Sequence, residues 1–254
     1  MFTRALLAVK STALVCVILL SMTERTTGSI RARVRAEMLD EIKAAARKQL
    51  ATDGASLSLR AVARDMGMAS SAIYRYFPSR DDLLTALIIE AYDSLADAAE
   101  DSEAEVDRAD LVGRWLAVAH GLRNWALDRP HEYALIYGSP VPGYAAPEDT
   151  IEPSTRPVLL IGTILTDAKT AGRLEEESLP TRTPAPLVME IREAARVVNA
   201  AVGEAEMARA LIAWTELFGA ISFEIFGRLN NVIDQRFAWF DHQMRAMAGF
   251  VGLR

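Results

Sequence analysis

Cysteine is almost missing from this chain: Cys16 is the only one in 254 residues, so no intramolecular disulfide can form. That fits a reducing, cytoplasmic setting. Histidine is nearly as scarce. His120, His131 and His242 stand apart, and none lies at metal-ligand spacing from another. Phosphate-cradling glycine loops of the Walker or dinucleotide type do not occur, nor does a serine nucleophile elbow. No metal and no cofactor are therefore expected, and an enzyme is hard to support. Glu216 and Glu224, eight apart, fall close to one helix face. A hydrogen bond to a ligand or a salt bridge suits Glu224 better than acid–base work. Proline and glycine are confined to a few places, and alternating β-type runs are not evident. With 51% hydrophobic residues to build a core, the expected fold class is all-α.

The net charge of −6 divides unevenly along the chain. Residues 22–92 hold eleven Lys and Arg against nine Asp and Glu, whereas residues 93–254 hold fifteen against twenty-five. A mildly basic N-terminal part on an acidic body is the asymmetry expected when one end alone meets phosphate.

Residues 57–83 are the most informative. Leu59, Val62, Ala63 and Met66 recur at helical spacing, and Gly67 supplies the freedom that a tight inter-helix turn needs. A short second helix follows. In it Ile73 and Phe77 can face inward while Ser70, Ser71, Tyr74, Arg75 and Tyr76 carry hydroxyls, a guanidinium and aromatic tips. Small residues from Ala69 to Ala72 permit close approach to a groove wall. Pro78 stops that helix; Ser79 can cap the next, with Asp82 as its reciprocal partner. Arg80, at the start of a long helix running to about Glu100, is well placed for a phosphate. This is the pattern of a helix-turn-helix, whose second helix meets base edges.

The stretch AVARDMGMASSAIYRYFPSRDDLLTAL resembles the N-terminal DNA-binding segment of the tetracycline-repressor (TetR) family of bacterial regulators. The likeness covers about residues 35–92. It departs at Arg80, where lysine is common, and at Tyr76, where histidine often stands. The resemblance implies a homodimer on a double-stranded, palindromic DNA operator. Ser70, Ser71 and Ala72 would approach bases, while Tyr74, Arg75, Tyr76, Arg80 and the helix start at Ser58 and Arg60 would hold phosphates. Farther on, WTELFGAISFEIFGRL is similar to the C-terminal domain of a subgroup named for a Trp-His-Gly signature. Trp214 and Gly219 fit it, and Phe218 replaces the histidine.

Residues 1–21 carry an apolar segment whose uninterrupted core, Ala13–Leu20, is much shorter than the ~20 residues a membrane span needs. A basic start and short apolar region leave a signal-peptide reading open, yet a helix-turn-helix has no work outside the cell. MTERTTGSIRARVRAEM then reads as a polar, basic opening arm. Translation is expected to begin at Met22, and no stable membrane association is expected. Arg31, Arg33 and Arg35 can reach a minor groove or phosphates, or form a disordered basic tail.

Residues 1–34 thus read as extension and arm, 35–92 as the helix-turn-helix domain, and 93–254 as an effector-binding and dimerisation bundle. In the first domain, a helix over 35–52 places Met38, Ile42, Ala45 and Leu50 on one side, with Gly54 ending it. The acidic run DSEAEVDRAD reads as a solvated boundary without core positions. Helices follow over about 110–127, from Pro130 to Tyr137, and over 154–171. A mobile proline-rich linker over 177–186 separates them from helices near 187–199, 204–226 and 232–249.

Trp115, His120, Trp125, Tyr133 and Tyr137, with Trp214, Phe218 and Glu224, are candidates for a pocket that takes a small, largely apolar effector. Core packing competes for each of them. Leu211, Trp214, Leu217, Phe218, Ile221, Ile225 and Leu229 trace one apolar stripe. Phe237, Phe240, Met244, Met247 and Phe250 trace another, suited to a four-helix dimer interface. Two alternatives stand beside this reading: a membrane-tethered regulator using the apolar N-terminus, and a helical small-molecule-binding protein or enzyme.

Overall fold

Regular structure among the described residues is helical throughout, apart from one isolated antiparallel bridge between Leu174 and Leu253. The computed structural model describes residues 30–52, 57–175 and 183–254. Cys16, Met22, the apolar N-terminal segment, Gly54 and most of the proline-rich linker lie outside that range. The chain divides into two compact units, Met1–Leu83 and Leu84–Arg254.

In the first unit, helix α1 occupies residues 30–52, α2 Leu59–Asp65 and α3 Ser70–Ile73, and α4 begins at Arg80. Ile42, Ala46, Leu50, Leu59, Val62, Ala63, Ile73 and Phe77 are all buried. Ala46 rather than Ala45 repeats the inward position of Ile42, four residues on and so on the same face. Helix α1 starts five residues earlier than its apolar pattern suggests. Arg31, Arg33 and Arg35 are therefore helical rather than part of a tail, and Arg33 pairs with Glu37 one turn on at 3.6 Å.

The turn between α2 and α3 closes as the glycine predicts. Gly67 takes φ +66°, donating to the Arg64 carbonyl at 3.0 Å, and Met68 donates to Ala63 at 2.8 Å. These two bonds satisfy carbonyls that the end of α2 would otherwise leave open. The restart is equally local. Ser79 Oγ accepts from the Asp82 amide at 3.1 Å, and the Asp82 carboxylate accepts from the Ser79 amide at 2.9 Å, a reciprocal capping box.

In the second unit, α4 runs on to Ala104, followed by α5 (Leu111–Asp128), α6 (Pro130–Tyr137), α7 (Ile151–Thr170), α8 (Ala185–Val197), α9 (Glu204–Ile225) and α10 (Arg236–Val251). Pro130 occupies the first turn of α6, where its missing N–H leaves no bond unmade. Helix α5 lies at the centre and packs against α7, α9 and α10, while α8 lies on α9. Trp115, Leu122, Ile164, Ala213, Leu217 and Met244 belong to one continuous core. The last helix begins four residues later than its apolar pattern suggests. Gly227 (φ +71°) and Asn231 (φ +61°) turn the chain through the left-handed region first.

The acidic run after α4 is not wholly solvated. Glu103 is 2% exposed and accepts from Arg114, which is itself 0% exposed and also donates to Asp167 at 2.7 Å. Burial opposes charge on the Arg114 guanidinium, but its hydrogen bonds to Asp167 and Glu103 outweigh it and raise its affinity for the proton.

Candidate nucleic-acid interface

Helix α3 is one turn long and continues through further turn bonds, from the Tyr76 and Phe77 amides to the Ile73 carbonyl at 2.9 and 3.0 Å. Because Ile73 and Phe77 are buried, the residues between and before them turn outward. Ser70, Ser71, Tyr74 and Arg75 are exposed, and Ala72 is half-buried. On α2, Arg60 is exposed; Ser58, at the N-cap, is half-buried, and its carbonyl accepts from the Val62 amide at 3.0 Å.

Two of the candidate residues are tied into the protein. Arg80 is 32% exposed; its Nε donates to the Leu57 carbonyl at 3.1 Å, and Nη1 lies 3.5 Å from Asp81. Tyr76 is half-buried beneath Arg35, whose guanidinium carbon lies 5.2 Å from the ring centroid. The unit therefore offers a short exposed row of hydroxyls, one aromatic tip and a guanidinium, held by a buried hydrophobic underside.

The eight body candidates fall into separate groups. Trp115 is 1% exposed, its indole N–H donating to the Met244 carbonyl at 2.9 Å; Trp125 is 3% exposed and donates to Ser94 Oγ at 2.9 Å. Both are satisfied core residues. Tyr133, Tyr137, Phe218 and Trp214 do come together, with ring centroids 5.3, 4.3 and 4.5 Å apart in that order. The Tyr133 hydroxyl reaches Ser222 Oγ at 2.8 Å, and burial pushes the Tyr137 phenol far above its ordinary range. Tyr92 of α4 joins this cluster edge-on to Tyr137 at 6.1 Å.

His120 and Glu224 belong elsewhere. His120 Nε2 lies 3.1 Å from Asp241, and its ring stacks on Phe237 at 5.0 Å. Glu224 accepts both arms of the Arg123 fork at 2.7 and 2.6 Å, with the two side chains 7% and 10% exposed. The salt-bridge expectation for Glu224 thus holds, and Glu216 is engaged too, accepting from Gln243 at 3.0 Å. Tyr92, Arg123 and Asp241 escaped sequence reasoning. The spacing of His120 and Arg123, three apart and so on one helix face, was their one available signal.

Between α7, α8 and α9 lies a wholly apolar slit lined by Val158, Ile161, Leu165, Val198, Met207 and Trp214. Its free volume of about 10 Å³ suffices for about one water, so a ligand entering it must part the helices. An open groove of about 430 Å³ runs along α9 and α10, lined by Leu211, Ile212, Thr215, Glu216, Met247 and Phe250. Four members of the two expected stripes, Leu217, Ile221, Phe240 and Met244, are buried in the chain's own core. Of the second stripe Phe237 is exposed, as are the neighbouring apolar residues Ile212, Phe223, Phe226 and Trp239. Among the described residues, no cluster of three or more potential metal ligands occurs, and no helix is long and apolar enough to cross a membrane.

A helix-turn-helix unit and a separate all-helical bundle define a DNA-binding regulator. Residues 42–87 match the bacterial regulatory proteins of the tetR family, and residues 115–247 match the tetracyclin repressor-like C-terminal domain. The HTH-type transcriptional regulators Rv1816 of Mycobacterium tuberculosis and Mb1846 of Mycobacterium bovis are each 37% identical over 214 residues, or 79% of this chain and 86% of theirs. The crystal structure of SCO4313 is 34% identical, with a TM-score of 0.67 over 86% of this chain and 98% of that one. A TetR family transcription regulator from Marinobacter aquaeolei VT8 shares the fold at 18% identity, with a TM-score of 0.56 over 85% of this chain and 97% of that one. The chain belongs to the TetR family of transcriptional regulators.

Proposed function

We propose that this regulator is a homodimeric, ligand-responsive repressor that binds a palindromic operator in the cytoplasm, without stable membrane association. The observation that carries the reading is the exposed row of Ser70, Ser71, Tyr74 and Arg75 set on buried Ile73 and Phe77 just after the Gly67 turn. Residues 35–92 are the reading domain. Ser70, Ser71 and Ala72 approach bases, while Tyr74, Arg75, Tyr76, Arg80, Ser58 and Arg60 address phosphates.

Residues 93–254 bind effector and dimerise. The apolar residues left exposed on α9 and α10, together with their groove, support a four-helix interface between two copies. The cluster of Tyr133, Tyr137, Phe218 and Trp214 favours a small, largely apolar effector. Trp214 and Gly219 support the Trp-His-Gly subgroup, with Phe218 making that position apolar. The effector acts by binding one conformation of the dimer better than the other.

Selection of bound sequences from a random duplex pool tests this reading. Enrichment of an inverted repeat by the wild-type chain, lost in a Tyr74→Ala, Arg75→Ala double variant, is the expected result. A pool that stays unenriched for the wild-type chain overturns it.

A further inference from the structure

We infer that Arg35 is a positioning residue that fixes the end of the reading helix, rather than a contact to DNA itself. The inference rests on the proposed reading role of α3. Helix α3 has only four residues, so little of its own hydrogen bonding can hold its direction. Its N-terminal side is fixed by the Gly67 turn, and its underside by Ile73 and Phe77. The carbonyl of Arg75, just past its end, is left over. Both terminal nitrogens of Arg35, arriving from the first turns of α1, donate to that carbonyl, each at 3.3 Å. The same guanidinium lies over the Tyr76 ring at 5.2 Å.

One planar cation thus engages a backbone oxygen edge-on and an aromatic ring face-on, forty residues away in sequence. Tyr74, Arg75 and Tyr76 are consecutive, so holding the Arg75 carbonyl and the Tyr76 ring sets the direction in which the exposed Tyr74 and Arg75 side chains leave the backbone. A lysine cannot reproduce this. Its compact ammonium lacks the planar fork that spans carbonyl and ring together. The arrangement also turns both terminal nitrogens of the exposed Arg35 toward the Arg75 carbonyl.

Measurement of Arg35→Ala and Arg35→Lys against the wild-type-selected duplex and against random duplex, over a range of salt, separates the roles. A positioning role gives a loss of about five- to tenfold in affinity for the selected duplex in Arg35→Ala, the size expected for one typical net hydrogen bond. Affinity for random duplex, and the slope of log affinity against log salt, then stay at wild-type values. Arg35→Lys fails to restore the selected affinity. A slope reduced by about one phosphate contact, with equal losses on both duplexes, overturns the inference in favour of direct contact. Unchanged affinity for the selected duplex in Arg35→Ala also overturns it. If the wild-type chain prefers no duplex at all, the reading role of α3 fails instead. Thermal unfolding of each variant, expected within a few degrees of wild type, separates a local effect from loss of the fold.

Discussion

Glu103 stands in a run of five acids among ten residues, and by composition it belongs to solvent. Its position at the end of α4 instead carries it inward against Arg114, which also binds Asp167. Taking away Glu103 leaves the buried Arg114 short of one of its two carboxylate partners. Glu103→Ala is expected to lower unfolding stability by about 3 kcal/mol, read from urea denaturation of the whole chain. A change within ~0.5 kcal/mol, the range of an ordinary surface substitution, would mean that the group contributes nothing. Glu103 was illegible in the sequence because Arg114, its buried partner, lies eleven residues ahead on another helix, and hydrophobic periodicity reports apolar faces rather than ion pairs. The same holds for Arg35, which reads as one more basic residue of an arm until α1 brings it to Arg75 and Tyr76. Trp115 and Trp125 show the converse. Their size and polar edge suit a ligand wall, but each indole N–H already has a partner in the core.

Among the elements, those written by local chemistry were legible. The Gly67 turn, the Ser79–Asp82 box and the Pro130 start each depend on a few neighbouring residues, and each forms where its residues stand. Gly67 gives the sharpest test. A methyl group there meets nothing within 4 Å, so any penalty comes from the backbone, which holds φ at +66°. Gly67→Ala is expected to destabilise the chain by about 1–2 kcal/mol, seen as a lower thermal midpoint, with DNA affinity falling further than stability as α3 shifts. An unchanged midpoint would show that the turn does not need the left-handed conformation. Less was legible where two choices were physically equivalent. On α9 and α10 the apolar residues outnumber those one face can bury, so the 3.6-residue pattern marked the helices but not which stripe faces the chain's own core. The start of α10 was misplaced for another reason: Gly227 and Asn231 set a turn that an apolar Val232 and Ile233 concealed.

At the scale of the whole molecule, the all-helical class and its helix-turn-helix followed from composition and one continuous motif, whereas the grouping of the body candidates did not. Tyr133 and Tyr137 come from α6, and Phe218 and Trp214 from a helix some eighty residues on; only tertiary packing unites them. Charge behaves as a property of the whole. With 25 acids against 15 bases over residues 93–254, the charge of the body disfavours nucleic acid, and binding is expected at the basic end with a steep fall in salt, read from affinity measured over a salt range. Hydroxyl-radical footprinting of the chain on its selected duplex tests the central claim most directly. Two protected patches on one face of the helix, about 34 Å apart and related by a twofold axis, are expected from a pair of α3 helices in successive major grooves. A single unpaired patch, or protection spread evenly along the duplex, would contradict the account.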